Sequence, residues 1–178
     1  MLKRKAIVFI DGNNWYHNLK SDLKQPSKID FEKLANFICV KFNIDLVEIR
    51  YYNSIPEISD GKEMYYNHLK FLEKLKKQGI IVRTRKLKYI KSLGVKIEKG
   101  VDVLIGADMI RTTLVNKRCD VCILISGDSD FIPVMEILKR LGKEAISSSV
   151  IKGYARELLQ GKFRYLILKE DDLIKCLR

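Results

Sequence analysis

Residues 123–134 read ILISGDSDFIPV. An apolar run stops at Ser126, and two aspartates, Asp128 and Asp130, follow at once. A run of five apolar residues, Val121–Ile125, is too short for an amphipathic helix and fits a buried strand. The next stretch, SDFIPVMEILKRLG, reads as a helix with Pro133 in its first turn, where the missing N–H costs little. Residues 7–16, IVFIDGNNWY, repeat the arrangement: a strand, then Asp11, Gly12 and two asparagines. If the two strands are neighbours, their terminal carboxylates converge.

The rest of the chain supplies the remaining elements. After the strand at residues 6–10, a short helix is expected through about Leu23. Asp30 reads as an N-cap, and Phe31, Leu34, Ile38 and Phe42 follow at helical spacing. LVEIRYY (46–52) makes a second strand, and the polar loop after it contains Pro56 and Gly61. A helix runs from about Lys62 to Gln78 on a stripe of Tyr65, Leu69, Leu72 and Leu75 or Lys76. Gly79 is placed to end it. IIVRTRKL is a third strand, and KYIKSLGVKIEKG is a small hairpin or a loop. GVDVLIGADMIRTTLVNK is a helix with Val101, Ile105, Met109 and Thr112 on its inner face. CDVCILIS and EAISSS are the fourth and fifth strands. The helix YARELLQGKF lies beyond them, and YLIL is a candidate last strand.

Strands that alternate with helices and read as near-continuous apolar runs predict a parallel sheet covered on both faces. The expected fold is a three-layer α/β/α sandwich on a mostly parallel sheet of about five strands. Right-handed crossovers place all the strand C-termini at one end of such a sheet, where ligands bind at the switch in strand order. The length of 178 residues suits one domain, residues 1–178.

Thirty-four Lys and Arg against 22 Asp and Glu give a net charge of +12. Such a balance speaks about partners rather than fold. The excess is uneven: residues 70–91, KFLEKLKKQGIIVRTRKLKYIK, hold many basic residues and one acidic one. A solvated helix face accounts for Lys70, Lys74 and Lys77. Arg83, Arg85, Lys86 and Lys88 fall on the next strand and its exit, and charge spread over two consecutive elements is a footprint for a polyanion. No apolar run approaches the roughly 20 residues of a membrane helix. The stretch behind Lys3, Arg4 and Lys5 is too short for a secretory signal. A cytoplasmic protein with no membrane partner is expected. Cys119 and Cys122 form a C-x-x-C without a second pair, so packing in the core is preferred to zinc. Strand alternation would place them on opposite faces.

Carboxylates gathered at one end of a sheet need a proton, a basic partner or a cation. Asp, Asn and Ser are oxygen donors that suit a hard divalent ion. Asp102 falls in the first turn of its helix and points to the same end if the helix begins there. Asp108 lies about 120° around that helix from Asp102. Each feature has a plain structural reading too: Asp11-Gly12 as turn chemistry, Asp102 as a helix-dipole partner, Ser129 or Asp130 as an N-cap. Trp15 and Tyr16 are read either as base-stacking residues or as packing.

Three motifs in order, FIDGNNWYHNL, EKGVDVLIGADMI and LISGDSDFIPVMEILKRLGKEA, resemble the NYN domain of the PIN-like nuclease superfamily, in its LabA-like branch. The resemblance spans nearly the whole chain and implies a PIN-like, Rossmann-like fold. It also implies a metal-dependent ribonuclease or a descendant of one. Asp11, Asp102, Asp128 and Asp130 would form the acidic site for Mg²⁺ or Mn²⁺, with Asn14 and Ser126 in support. Asp108 matches a common family position. RNA is the implied partner, held along its backbone by Arg83, Arg85, Lys86, Lys88 and Lys99. The oligomeric state stays open, a homodimer included. Two alternatives stand beside this reading: a non-catalytic RNA-binding module that keeps the acidic site, and a phosphatase of the haloacid-dehalogenase type. The phosphatase would need Asp-x-Asp at the first strand, where this chain has Asp11-Gly12-Asn13.

Overall fold

A computed structural model describes residues 3–19, 28–90, 95–97, 100–161 and 163–178. The first strand, β1 (Lys5–Asp11), passes directly into α1 (Gly12–Leu19). Helix α2 (Phe31–Phe42) starts at Asp30, whose side chain accepts hydrogen bonds from the Glu32 and Lys33 amides. This is the N-cap its sequence position predicts, and such a cap is typically worth about 1 kcal/mol. Strand β2 (Asp45–Ile55) and α3 (Lys62–Lys77) follow. Gly79, at φ +81°, lies just past α3 in the left-handed conformation that closes many helices.

Strand β3 (Ile81–Lys86) precedes a separate antiparallel pair, β4 (Lys88–Ile90) with β5 (Val95–Ile97). The antiparallel pairing agrees with the hairpin option; residues 91–94, between the two strands, lie outside the described residues. Helix α4 (Val101–Ile110) runs on into a π-helical segment, Arg111–Val115. Then come β6 (Val121–Ile125), a 3₁₀ turn at Ser129–Phe131, α5 (Ile132–Arg140) and β7 (Glu144–Val150). Short α6 (Arg156–Gln160), β8 (Arg164–Leu168) and α7 (Glu170–Lys175) complete the described chain.

The central sheet has the order β3-β2-β1-β6-β7-β8, and every neighbouring pair is parallel. The sixth strand is β8, the short YLIL segment. It adds beside β7, so the sheet is one strand wider than the five expected. Strand order runs outward from β1 through β2 to β3, then returns to β6 and runs the other way. The switch point is therefore the β1–β6 boundary.

Alternation along β1 separates two core layers. Ala6, Val8 and Ile10 pack with Trp15, Leu34, Ile38, Leu75 and Leu173 from α1, α2, α3 and α7. Ile7 and Phe9 pack with Ile105, Met109, Phe131 and Met135 from the α4–α5 side. Residues 6–10 are fully buried on both faces, at about 1.5–3 kcal/mol for each large aliphatic side chain. Val101, Ile105, Met109 and Thr112 are all buried, as their spacing predicts. No helix among the described residues is long and apolar enough to cross a membrane.

The two cysteines of C-x-x-C do not face opposite sides. The Thr113 hydroxyl lies 3.4 Å from the Cys119 sulfur and 2.8 Å from that of Cys122. Cys119 precedes β6, which begins at Val121, so strand alternation does not govern it. Both thiols are free and buried in the α4–α5 core layer.

Candidate active site at the sheet switch point

Asp11 is the last residue of β1 and only 3% exposed. Its Oδ1 accepts the Asn14 amide at 3.1 Å, and its Oδ2 accepts the Ser126 hydroxyl at 3.2 Å. Ser126 directly follows β6, so this second bond crosses the switch point. The Asp128 amide donates to the same Ser126 oxygen at 3.3 Å. One hydroxyl thus links the end of β1 to the loop after β6.

A second link runs through the asparagines. The Asn14 side-chain oxygen accepts the Gly127 amide at 3.0 Å and the Asn18 amide group at 2.9 Å. Asn18 was not among the residues singled out from sequence. The signal for it was its i, i+4 spacing from Asn14 on α1. Gly127 is required by close approach, because a Cβ there would collide with the Gly153 carbonyl oxygen. The Ala155 amide donates to the Gly127 carbonyl at 2.9 Å. The SGD loop is therefore clamped between α1 and the loop after β7.

Asp128, not Ser129 or Asp130, is the N-cap here. Its Oδ1 accepts the Asp130 amide at 2.9 Å. The 3₁₀ turn at Ser129–Phe131 moves the cap one or two residues earlier than a plain α-helical start would. Asp130 and Asp102 are exposed. Burial first, and then the charges of Asp128 and Asp130, hold the Asp102 carboxyl above its usual range. The first turn of α4 and the SGDSD loop are thus electrostatic neighbours.

Asp108 is placed elsewhere. It is 2% exposed and accepts from Arg50 Nη1 at 3.2 Å and from the Tyr52 hydroxyl at 2.9 Å, both on Oδ2. Arg111 Nη2 donates to its Oδ1 at 2.7 Å. Arg83 Nη1 stands 3.8 Å away. Burial and the Asp108 charge push the Tyr52 phenol well above its normal range. Arg50 also pairs with Glu48, which binds Arg118 at 2.7 Å. This buried network fastens α4 to β2 and β3.

Of the basic candidates, Arg83 is thus engaged with Asp108, while Arg85 and Lys86 are exposed at the C-terminal end of β3. Lys88 begins β4, and Lys99 lies outside the described residues. Trp15 is 3% exposed, its ring 6.5 Å from that of Phe31, so it belongs to the core and offers no free face to a base. Tyr16 is 47% exposed.

Among the described residues, no three His, Cys, Asp or Glu side chains form a ready-made ligand cluster. The donor chemistry nevertheless suits a hard cation: every candidate donor is oxygen. One more oxygen was missed from sequence. Ser149 Oγ is buried without a hydrogen-bond partner among the described residues. Ser148 pairs with Ile125, and alternation puts Ser149 on the sheet face of Ala145, the face shared by Ile7 and Phe9. The triple serine at the end of an apolar strand was the available signal. Carboxylates gathered at the switch point, with only oxygen donors around them, fit an oxygen-seeking ion.

A doubly covered parallel sheet with carboxylates at its switch point defines a doubly wound α/β protein with its candidate site where such folds bind ligands. The NYN domain family model matches residues 5–167, and the chain belongs to that family. It is 28% identical over 170 residues to the Low amplitude and bright protein LabA of Synechococcus elongatus. That match covers 93% of this chain and 84% of LabA, and places the chain on the LabA-like branch. A solved structure of a protein of unknown function from Vibrio parahaemolyticus is similar in fold, with a TM-score of 0.66. It is 22% identical, with 95% of each chain covered.

Proposed function

We propose that the protein is a ribonuclease that hydrolyses RNA phosphodiester bonds at the β1–β6 switch point, with Mg²⁺ or Mn²⁺ as cofactor. The observation that carries this reading is the joining of Asp11 to the Asp128 loop through one Ser126 hydroxyl at the switch point, in a chain of the NYN family. Asp11, Asp102, Asp128 and Asp130 would hold the ion. When bound, the ion lowers the pKa of a water and stabilises charge on the phosphorus oxygens.

The chain's own groups prepare that chemistry. Asn14 and Ser126 fix both oxygens of Asp11 by donating to them. Ser126 also receives the Asp128 amide, which ties the two carboxylate-bearing segments to one another. Arg85, Lys86 and Lys88 would hold the RNA backbone, contacts that position a substrate without reading its sequence. The haloacid-dehalogenase alternative has no support, since the second carboxylate after β1 is replaced by Asn13.

The test is incubation of the purified protein with a labelled mixed RNA pool in Mn²⁺, Mg²⁺ or chelator. Cleavage is expected with metal only. Asp11→Asn and Asp128→Asn should each abolish it and leave RNA affinity in chelator intact. Cleavage that survives in both variants places the chemistry at another site. Binding without cleavage in every metal supports the non-catalytic module instead.

A further inference from the structure

We infer that the cavity between α1, the end of β2 and α3 is a pocket for one unpaired nucleobase of the RNA. This rests on the ribonuclease reading and adds base recognition to it. The cavity holds about 680 Å³, inside the range of about 300–1,000 Å³ usual for small-ligand sites. Its wall includes Asn13, two residues past Asp11, and Asn53 and Ser54 near the C-terminal end of β2. It therefore stands at the same end of the sheet as the aspartates, on the opposite side of β1 from α4.

Its chemistry selects the occupant. The described lining residues include no Asp, Glu, Lys or Arg, so those residues match neither a phosphate nor a cation. They include Tyr16, Phe71 and His68, with the His68 and Phe71 rings 6.4 Å apart. Aromatic faces of this kind stack on bases. Asn13, Asn53 and Asn67 line the cavity, and side-chain amides carry both donors and acceptors, as base edges do. Asn53 is held in place, its amide nitrogen donating to the Tyr51 hydroxyl at 3.2 Å and its oxygen accepting the Ser54 amide at 2.8 Å.

Two of the residues lining the cavity carry a polar atom short of partners. His68 Nε2 and Trp15 Nε1 are buried with no hydrogen bond among the described residues. Burial holds the His68 pKa below its usual value. A neutral imidazole offers one donor and one acceptor. A neutral, aromatic, hydrogen-bonding ligand beside a phosphodiester site on a +12 chain is a nucleobase.

Two probes test this in chelator, where nothing is cut: a fully abasic hexaribonucleotide backbone, and the same backbone carrying one central base. The base should raise affinity roughly five- to hundredfold, the range for stacking on aromatic side chains. Met64 lines the cavity and is 51% exposed, so Met64→Trp should fill it without disturbing the fold. That variant should bind both probes equally, with unchanged affinity for the abasic one. Asn67→Ala, also at an exposed position, should lose part of the gain. No gain in the wild type overturns the pocket, and so does a gain that both variants keep. Cleavage with no base-dependent gain leaves the ribonuclease reading standing and removes the pocket. A gain without cleavage in any metal does the reverse.

Discussion

The Ser126 hydroxyl donates to the Asp11 carboxylate at 3.2 Å, across the boundary where the strand order reverses. Ser126 is fully buried, and its oxygen also receives the Asp128 amide. A hydrogen bond to a charged group is worth about 1.5–3 kcal/mol. Ser126→Ala removes it and strips the Asp128 amide of its acceptor. Urea unfolding should show a loss of about that size with an unchanged m-value. An unaltered midpoint would mean that the hydroxyl does not join the two segments.

Asp102 is the carboxylate that the site strains. Its pKa is raised by burial and by Asp128 and Asp130. A raised carboxyl pKa means that the folded chain holds this proton more tightly than the unfolded chain does. The associated stability is complete below the unfolded value and lost as pH rises through the folded one. At neutral pH in chelator, Asp102→Asn should therefore melt higher than the wild type. The gain should not exceed about 1 kcal/mol, because the group is exposed and solvent screens it. Added Mn²⁺ should stabilise the wild type and not the variant. A lower melting point for Asp102→Asn without metal would contradict the repulsion.

Much of this was legible in the sequence because apolar runs and punctuation coincide. Val121–Ile125 and Ala6–Ile10 end in Ser126 and Asp11, so the strands and their carboxylate ends could be read together. Asp30 and Gly79 announced helix boundaries through local chemistry alone. Pairing was not local. Nothing in YLIL shows that it will add beside β7, and nothing in Trp15 shows that its ring meets Phe31. Asp108 looked like a companion of Asp102 because both sit on one helix. Its partners Arg50 and Tyr52 come from β2, more than fifty residues earlier, and only the fold brings them together.

Asp108 should be a residue of stability rather than of catalysis. Removing one partner of a buried ion pair costs about 3–5 kcal/mol, because the other charge is left uncompensated. Asp108→Ala takes one carboxylate from Arg50, which is 5% accessible but keeps Glu48, so the loss should lie toward the lower end of that range. The variant should unfold at much lower urea yet cleave normally per folded molecule. A stable but inactive variant would instead move Asp108 into the chemistry.

His68 makes a distinct prediction about pH. Burial depresses its pKa, so the unfolded chain takes up the proton first as pH falls through about 6.5. The stability linked to the neutral ring is present above that value and lost below it. The difference in unfolding free energy between wild type and His68→Gln should shrink from pH 7.5 to pH 5.5. A difference that stays constant would mean that the ring titrates alike in both states.

The last prediction separates the basic residues of β3. In register, Asp11 pairs with Tyr52 and Tyr52 with Arg83, so these three form one row across the sheet. Arg83 spends its charge partly on Asp108. Arg85 and Lys86 lie beyond that row, opposite Ser54 and Ile55, and both are exposed. They are the residues that would meet a phosphate backbone if RNA runs past the aspartates. Each phosphate neutralised on a single strand contributes about −0.7 to the slope of log affinity against log salt. Replacing Arg85 and Lys86 together with Ala should flatten that slope by roughly 1.4. Affinity should fall equally for unrelated sequences, since backbone contacts do not read bases. Arg83→Ala should act differently, lowering stability through Asp108 and changing the slope less. An unchanged slope in the double variant would assign these charges to solvation alone and put the RNA path on another face of the chain.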